Sequence, residues 1–542
     1  MSSPSLFPIP RNEPVLGYGP GSAERAALKA ALTAVAGHQE DIPVVIGGRE
    51  IRTGHTEPVT SPHCHARVLG QAHQATPELV GQAIDAALEA QRDWGHWKLE
   101  DRAAVFLKAA DLLATRYRPL VNAATMLGQS KTAHQAEIDS ACELIDFLRF
   151  NVSFAERVYR EQPESGPGTW NRLDYRPLEG FVYAITPFNF TAIGGNLPTA
   201  PALLGNVVVW KPSTTAILSN WHFFKLLDEA GLPPGVINFV PGNSVQVSDV
   251  LLSHRMLAGI HFTGSTPVFR QLQLRVAQNL ERYVSYPRLV GETGGKDFVA
   301  AHASADPDAL AVALVRGAYE YQGQKCSAAS RAYIPDNLWP RVRDRMVGMI
   351  SEIRVGDVAD FRNFMGAVID RRAFDRISGY LEQAKRDPGV TVLAGGKVDG
   401  SVGWFVQPTL LQVEDPGYRL MCEEIFGPVL TVHVYPAARW TETLGLVDRT
   451  SPYALTGAVF AQDRSALIEA DRALRNAAGN YYVNDKPTGA MVGQQPFGGA
   501  RASGTNDKAG SIFNLQRWVS PRTIKETFAP PTDWRYPFMQ EP

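Results

Sequence analysis

The chain has 542 residues, 44% of them apolar, with a formal net charge of −2; at roughly 150 residues per domain this gives three or four domains and ample material for a large core. Acidic and basic residues nearly balance and no long Lys/Arg cluster stands out, which excludes the electrostatic footprint of a nucleic-acid binder or of a protein held on an anionic membrane. Segment 1–14 lacks the apolar stretch of a secretory signal, and no run approaches the roughly 18 apolar residues of a membrane span, 197–210 being short and interrupted by polar residues and proline.

Residues 1–45, rich in Pro and Ala, read as an extended arm followed by a short helix. His63-Cys64-His65 has metal-ligand residue types, but three adjacent residues without a distant partner cluster do not build a closed site; the segment reads as a surface loop after Ser61-Pro62. The four cysteines, Cys64, Cys142, Cys326 and Cys422, are too sparse for a disulfide framework, so a reducing, cytoplasmic compartment is expected. Residues 77–160 show helical periodicity, with Leu79, Ile84, Ala87 and Leu88 on one face. Thr169–Tyr183 alternates and is rich in aromatics, predicting strands with turns at Pro177 and Gly180. Short apolar runs follow at Val207–Trp210, Val236–Val240 and Ile260–Phe262, and Ile217–Ala230 reads as a helix closed by Gly231. Such runs alternating with helices predict parallel βαβ units, resuming from Pro307 to about Val483. The tail, Ser520–Pro542, reads as an arm that packs on a partner subunit.

Four segments carry side chains suited to chemistry. Cys326 lies in YQGQKCSA, where small neighbours admit a substrate and Lys325 would favour thiolate if its charge points inward; a lone cysteine is more often an ordinary core residue. Glu292, beside Gly294-Gly295, has the type and freedom of a general base, or is an idle turn residue. Asn189 in TPFNF follows the apolar run Val182–Ile185, so it reaches a strand's carboxyl edge as an oxyanion donor or as a helix cap. Phe262-Thr263-Gly264-Ser265-Thr266 joins a strand to a helix and exposes N–H groups that suit a pyrophosphate, although no G-x-G-x-x-G fingerprint is present at such a junction.

Together these segments resemble the aldehyde dehydrogenase superfamily. Pro187-Phe188-Asn189, Lys211-Pro212-Ser213, Phe262–Ser265, Glu292-x-Gly294-Gly295-Lys296, Gly323-Gln324-x-Cys326 and Glu424–Pro428 stand in the family's order, across nearly the whole chain. Met126–Lys131, Glu143–Phe147, Gly323–Ala328 and Gly493–Asp507 are similar to the stand-alone branch that oxidises L-glutamate γ-semialdehyde in proline degradation. The resemblance implies an α/β fold with a Rossmann-type cofactor domain (1–163 and 184–293), an α/β catalytic domain (294–513) and a small β oligomerisation flap with C-terminal arm (164–183 and 514–542).

It also implies roles. Cys326 is the nucleophile, Asn189 the oxyanion donor and Glu292 the base for hydrolysis of a thioester, with no metal. NAD is the cofactor: Thr186, Pro187 and Phe188 line its cleft, Lys211 and Ser213 reach the adenosine ribose, Gly264, Ser265 and Thr266 the pyrophosphate, Glu424 the nicotinamide ribose and Phe426 the ring. Many members place a Glu where this chain has Thr214, so acceptance of NADP is implied as well. Ser327, Gly489 and Ala490 would hold the substrate carboxylate, Phe188 and Phe497 the aliphatic chain, and Glu143 the ammonium, or else Glu143 is a helix-surface residue; relatives often carry Ser at position 490. A homodimer or dimer-based hexamer is implied, with proline dehydrogenase as pathway neighbour. The alternatives are oxidation of another semialdehyde such as succinic semialdehyde, a non-redox cysteine esterase or acyltransferase with a His base, and a non-catalytic protein on the same fold.

Overall fold

The computed structural model describes residues 7–540, so residues 1–6 of the arm and the last two of the tail lie outside the described residues. Two seven-stranded sheets organise the chain. In the first, Arg288–Glu292, Leu257–Thr263, Phe181–Ile185, Val207–Lys211 and Ile237–Phe239 lie side by side and parallel, followed by antiparallel Val44–Ile46 and Arg49–Ile51. All of Val207–Lys211 is buried, which is why it reads as a continuous run rather than an alternation. The strand order reverses between Phe181–Ile185 and Leu257–Thr263, and their ends, Ile185 and Phe262, are paired. The crevice beyond the carboxyl ends of such a pair is where open α/β sheets bind ligands. Thr186–Phe190 and Gly264–Thr266 leave the sheet there.

In the second sheet Thr409–Val413, Val429–Tyr435, Ala329–Pro335, Asp297–Ala301, Thr456–Phe460 and Asn480–Val483 are parallel in that order, with Val390–Ala394 antiparallel at one edge. Glu292–Lys296 and Cys326 immediately precede two central strands of this sheet, so they sit where it meets the first.

Helix Ile217–Ala230 has the expected bounds, and Gly231 (φ +97°) ends it with N–H groups 231 and 232 returned to Asp228 O and Leu227 O. Residues 77–160 are mainly helical, interrupted at 95–98 and 130–132, with two π-helical turns, Leu113–Tyr117 and Glu137–Glu143, that a 3.6-residue period does not announce. Strand Phe181–Ile185 begins inside the segment expected to be flap, because Phe181–Tyr183 are fully buried in the first sheet. The remaining flap strand, Thr169–Arg176, pairs antiparallel with Ser520–Thr527 as an isolated two-stranded ribbon. The expected arm also starts later than 514: Leu515 and Trp518 are fully buried, and Trp518 packs on His261 at 4.7 Å between ring centroids.

His63-Cys64-His65 is a hairpin end, not a free surface loop. His63 is buried, bonds Ser61 and Ser130, and pairs with Asp357 at 3.3 Å, tying the hairpin to two other parts of the chain. Among the described residues no group of three or more His, Cys, Asp or Glu is placed to hold a metal ion, and no helix is long and apolar enough to cross a membrane.

Candidate active site

Asn189 follows the strand Phe181–Ile185 and is buried, and its Nδ2 donates to Gln324 O at 3.1 Å, two residues before Cys326. A primary amide has two N–H groups, so one remains for a substrate oxygen. A polar cage holds this loop. Gln129 donates to Phe188 O, and the Asp139 carboxylate accepts Thr191 N (3.0 Å) and Ala192 N (2.8 Å), starting the helix Thr191–Leu203. Lys131, fully buried, neutralises Asp139 at 2.6 Å.

Cys326 follows a turn in which Tyr321 (φ 52°), Gln322 (φ 56°) and Gly323 (φ 64°) are all left-handed. Such a conformation costs energy for non-glycine residues and persists only where the surroundings impose it. Here Gln322 is fixed by three bonds, donating to Ser130 O and Ala367 O and accepting Gly366 N. At Gly323 a Cβ would lie 2.3 Å from Gly427 O, so no larger residue fits.

The Cys326 thiol is buried, with its Sγ 3.8 Å from Glu292 Oε1. Burial raises its pKa well above the ordinary thiol value, Glu292, Asp297 and Glu424 add to that, and its own N–H, which leans on the sulfur, opposes it. The resting group is the thiol. Lys325 does not promote thiolate as its neighbourhood in sequence suggested, because its Nζ turns to Glu320 at 3.2 Å, where Arg316 also binds at 2.8 Å. Burial pushes Glu292 up to about 8, with the Cys326 hydrogen bond as the main opposing influence. A carboxylate with that affinity for protons, touching the thiol, can take its proton and later one from water.

Around Cys326 lies a cavity of about 270 Å³. Ser327, Gly489, Ala490, Phe497 and Glu143 all line it, so the helix-surface reading of Glu143 falls: it closes the π-helical turn Glu137–Glu143 and points into the site. Burial and the nearby Asp139 raise Glu143 well above the usual carboxylate range, while Lys131 opposes them. The Ser327 hydroxyl meets Thr488 at 2.8 Å. Phe188 is not in this cavity; it packs edge-on against Phe426 (5.7 Å, 73°), and Phe190 and Phe147 take the place expected of it beside Phe497. Also unanticipated are Thr488, next to Gly489 in sequence, and Glu13, Asp146, Arg316 and Lys486, whose spacing carries no signal.

On the dinucleotide side, helix Thr266–Gln278 presents its N-terminus with Ser265 at the cap and no side chain bonded to it, a seat for an anion. Gly264 contributes shape rather than a donor, since its N–H already reaches Glu292 O at 3.1 Å. Lys211 ends the strand Val207–Lys211; burial lowers it to about 8 and the Glu57 carboxylate opposes this. Ser213 lies two residues on, its hydroxyl 3.3 Å from Thr215. Thr186 accepts Trp210 Nε1 at 3.0 Å, and Pro187 follows it. Glu424 accepts Gly295 N at 3.0 Å and fills the space where a Cβ at Gly294 would stand; burial brings it to about 7. A buried cation, an uncapped helix start and a carboxylate set between glycines fit a dinucleotide.

A cysteine–glutamate pair, an amide donor and a dinucleotide crevice between two α/β sheets are the parts of an aldehyde-oxidising enzyme. The "Aldehyde dehydrogenase family" model matches residues 51–524, and the chain belongs to that family. It is 54% identical over 539 residues to "Delta-1-pyrroline-5-carboxylate dehydrogenase, mitochondrial" of Dictyostelium discoideum, covering 99% of this chain and 97% of that protein. It is 52% identical over 530 residues to the Homo sapiens protein of the same name, covering 98% and 94%. The "Delta-pyrroline-5-carboxylate dehydrogenase from Mycobacterium tuberculosis bound with NAD" superposes with a TM-score of 0.97 at 56% identity, covering 100% of both chains. The cytoplasmic expectation is corrected by this comparison, because the Dictyostelium and human relatives are named mitochondrial. Four free cysteines do not tell one compartment from another.

Replacing Asn189 by alanine removes the free amide N–H that would hold a developing oxyanion. A loss of about 2.7–4 kcal/mol of barrier is expected, read as a fall in kcat of about 10²–10³, while the Km for NAD+ holds.

Proposed function

We propose that the chain oxidises L-glutamate γ-semialdehyde, in equilibrium with Δ1-pyrroline-5-carboxylate, to L-glutamate with NAD+, the second oxidative step of proline degradation. One observation carries the substrate reading. The cavity holding the Cys326 thiol is lined by acidic Glu13, Glu143, Asp146 and Glu320 and by basic Arg316, Lys325 and Lys486, of which Arg316 and Lys325 pair with Glu320. An aldehyde that also bears an ammonium and a carboxylate suits such a lining; a simple aldehyde uses neither.

Glu292 takes the thiol proton and the Cys326 sulfur adds to the aldehyde carbon, forming a hemithioacetal. The second N–H of Asn189 and the Cys326 N–H hold the oxyanion. When bound, NAD+ supplies the hydride acceptor. Lys211, Ser213, Ser265, Thr266 and Glu424 hold it, with Thr186, Pro187, Phe188 and Phe426 along its cleft. Once Glu292 has passed the thiol proton to solvent, it draws a proton from water, the resulting hydroxide equivalent attacks the thioester carbon, and the C–S bond breaks, the sulfur taking that proton from Glu292 to return the thiol as the carboxylate is released. Gly489 and Ala490 N–H groups and the Ser327–Thr488 hydroxyl pair bind the α-carboxylate, Glu143 faces the ammonium, and Phe147, Phe190 and Phe497 enclose the chain.

Position 214 holds threonine, so no carboxylate there repels a 2′-phosphate, and NADP+ is accepted with lower efficiency. Steady-state kinetics on L-glutamate γ-semialdehyde, succinic semialdehyde and propanal, each with NAD+ and NADP+, tests both points. The expected kcat/Km is highest for glutamate semialdehyde with NAD+; a preference for succinic semialdehyde refutes the substrate. The esterase reading is disfavoured because the thiol's partner is a carboxylate and not an imidazole.

The ribbon formed by Thr169–Arg176 and Ser520–Thr527, with exposed Trp170, Phe528, Trp534 and Phe538 on it and beyond, supports a homodimer or dimer-based hexamer. Sedimentation distinguishes the two. The pathway places a proline dehydrogenase immediately upstream.

A further inference from the structure

Asn12 bridges three parts of the chain. Its Nδ2 donates to Asp146 Oδ2 (2.7 Å) and to Val492 O (2.8 Å), and its Oδ1 accepts Gln494 Nε2 (2.8 Å). The other Asp146 oxygen accepts Glu13 N at 2.8 Å. Further along the arm, the Glu13 carboxylate pairs with Arg118 and Arg149, each at 2.6 Å, and Glu137 accepts Leu16 N (2.8 Å) and Tyr18 Oη (2.6 Å). A loose terminal segment has no need of so many charge-assisted bonds to conserve its path. Glu13, Val15, Asp146 and Val492 all line the Cys326 cavity, so the arm is part of its wall.

The turn it grips lies outside regular strands and helices. Gly489 is left-handed (φ +99°), and residues 491–495 close on themselves through Met491 O and the Gln495 side chain. Two tethers fix this turn relative to the nucleophile: Ser327–Thr488 at 2.8 Å on the cysteine side, and Asn12–Val492 with Asn12–Gln494 on the arm side.

We propose that the N-terminal arm is a positioning element for substrate selection, with Asn12 clamping the turn 488–494 to helix Leu144–Arg160 so that Gly489 and Ala490 stay in register with Cys326. The proposal rests on the reading of that turn as the carboxylate site. Asn12 touches no reacting atom; it acts through the turn, and aldehydes without a carboxylate do not depend on it.

The test is Asn12→Ala in the full-length enzyme, with Gln494→Ala as a milder variant that keeps the Asn12–Asp146 bond. Hydrogen exchange of amides 488–495 is expected to speed up in both, more in Asn12→Ala. The Km for L-glutamate γ-semialdehyde is expected to rise about tenfold, the scale of one or two lost hydrogen bonds, with kcat largely kept and propanal oxidation unchanged. The double variant is expected to add little to Asn12→Ala, because both changes cut one linkage. Wild-type exchange in the variants, or equal loss on both aldehydes, overturns the proposal. If wild-type enzyme shows no preference for the semialdehyde over propanal, the substrate reading fails, while faster exchange at 488–495 still establishes the clamp. If Asn12→Ala does not fold, Gln494→Ala decides by the same two readouts.

Discussion

Cys326→Ala is expected to abolish NADH formation from L-glutamate γ-semialdehyde, with kcat falling on the order of 10⁴-fold or more. In the proposed mechanism the thiol makes the covalent bond, and Cys142, which also borders the cavity, is held otherwise: it is bonded to Glu137 and Arg118, and burial raises its pKa far above the ordinary thiol value. Alanine leaves the chain fold undisturbed, since the three left-handed residues ahead of it are fixed through Gln322 and not through the thiol. Dinucleotide affinity, measured by fluorescence quenching, is therefore expected to stay close to wild type. Loss of activity together with loss of dinucleotide binding would instead indicate a folding defect.

Glu292→Gln is expected to separate the two halves of the reaction. Glu292 is one of the groups that raise the Cys326 pKa, second only to burial. Glutamine cannot take the thiol proton, which then leaves to solvent; with no carboxylate left at this position to raise the thiol, the first turnover still proceeds, more slowly than in wild type. Water then has no base, and steady-state turnover falls about 10²–10⁴-fold. Stopped-flow absorbance should show a burst of one NADH per active subunit followed by a slow phase. The same residue sets the pH profile of the wild type. A carboxyl group raised to about 8 is mostly protonated at neutral pH and is the active carboxylate above that value. Thioester hydrolysis therefore rises with pH through about 8 and then levels off, and Glu292→Gln should flatten this rise. A pH-independent hydrolysis step in wild type would remove Glu292 from the role.

Cys326, Glu292 and Asn189 were legible because each sits at the junction of a buried strand with a glycine- or proline-marked loop, a local pattern that the family resemblance then assigns. The alternation of apolar runs and helices likewise read out the parallel sheets. What escaped depends on contacts between distant segments. Phe188 and Phe190 have the same residue type two places apart, yet one packs on Phe426 and the other lines the substrate cavity; only the path of the loop past Gln129 and Asp139 separates them. Lys325 looked like a thiolate partner from its place next to Cys326, but the left-handed turn ahead of it brings Glu320 to its ammonium. Gly264 looked like an anion donor until its N–H was found on Glu292 O. Asn12 and Glu13 belong to a segment whose composition suggested only an arm, and their value lies in Asp146, Val492 and two arginines far along the chain. Trp518 falls inside the arm expected from residue 514 because nothing in its neighbours announces Gly259 and His261 beneath it.

The covalent intermediate gives the most direct test. Glu292→Gln enzyme is mixed with L-glutamate γ-semialdehyde and NAD+, quenched in acid within the burst, and digested for mass spectrometry. The account predicts one γ-glutamyl thioester per NADH formed, carried on the peptide containing Cys326 and absent when NAD+ is withheld. NADH produced without any acyl group on Cys326, or an acyl group on a different residue, would contradict it.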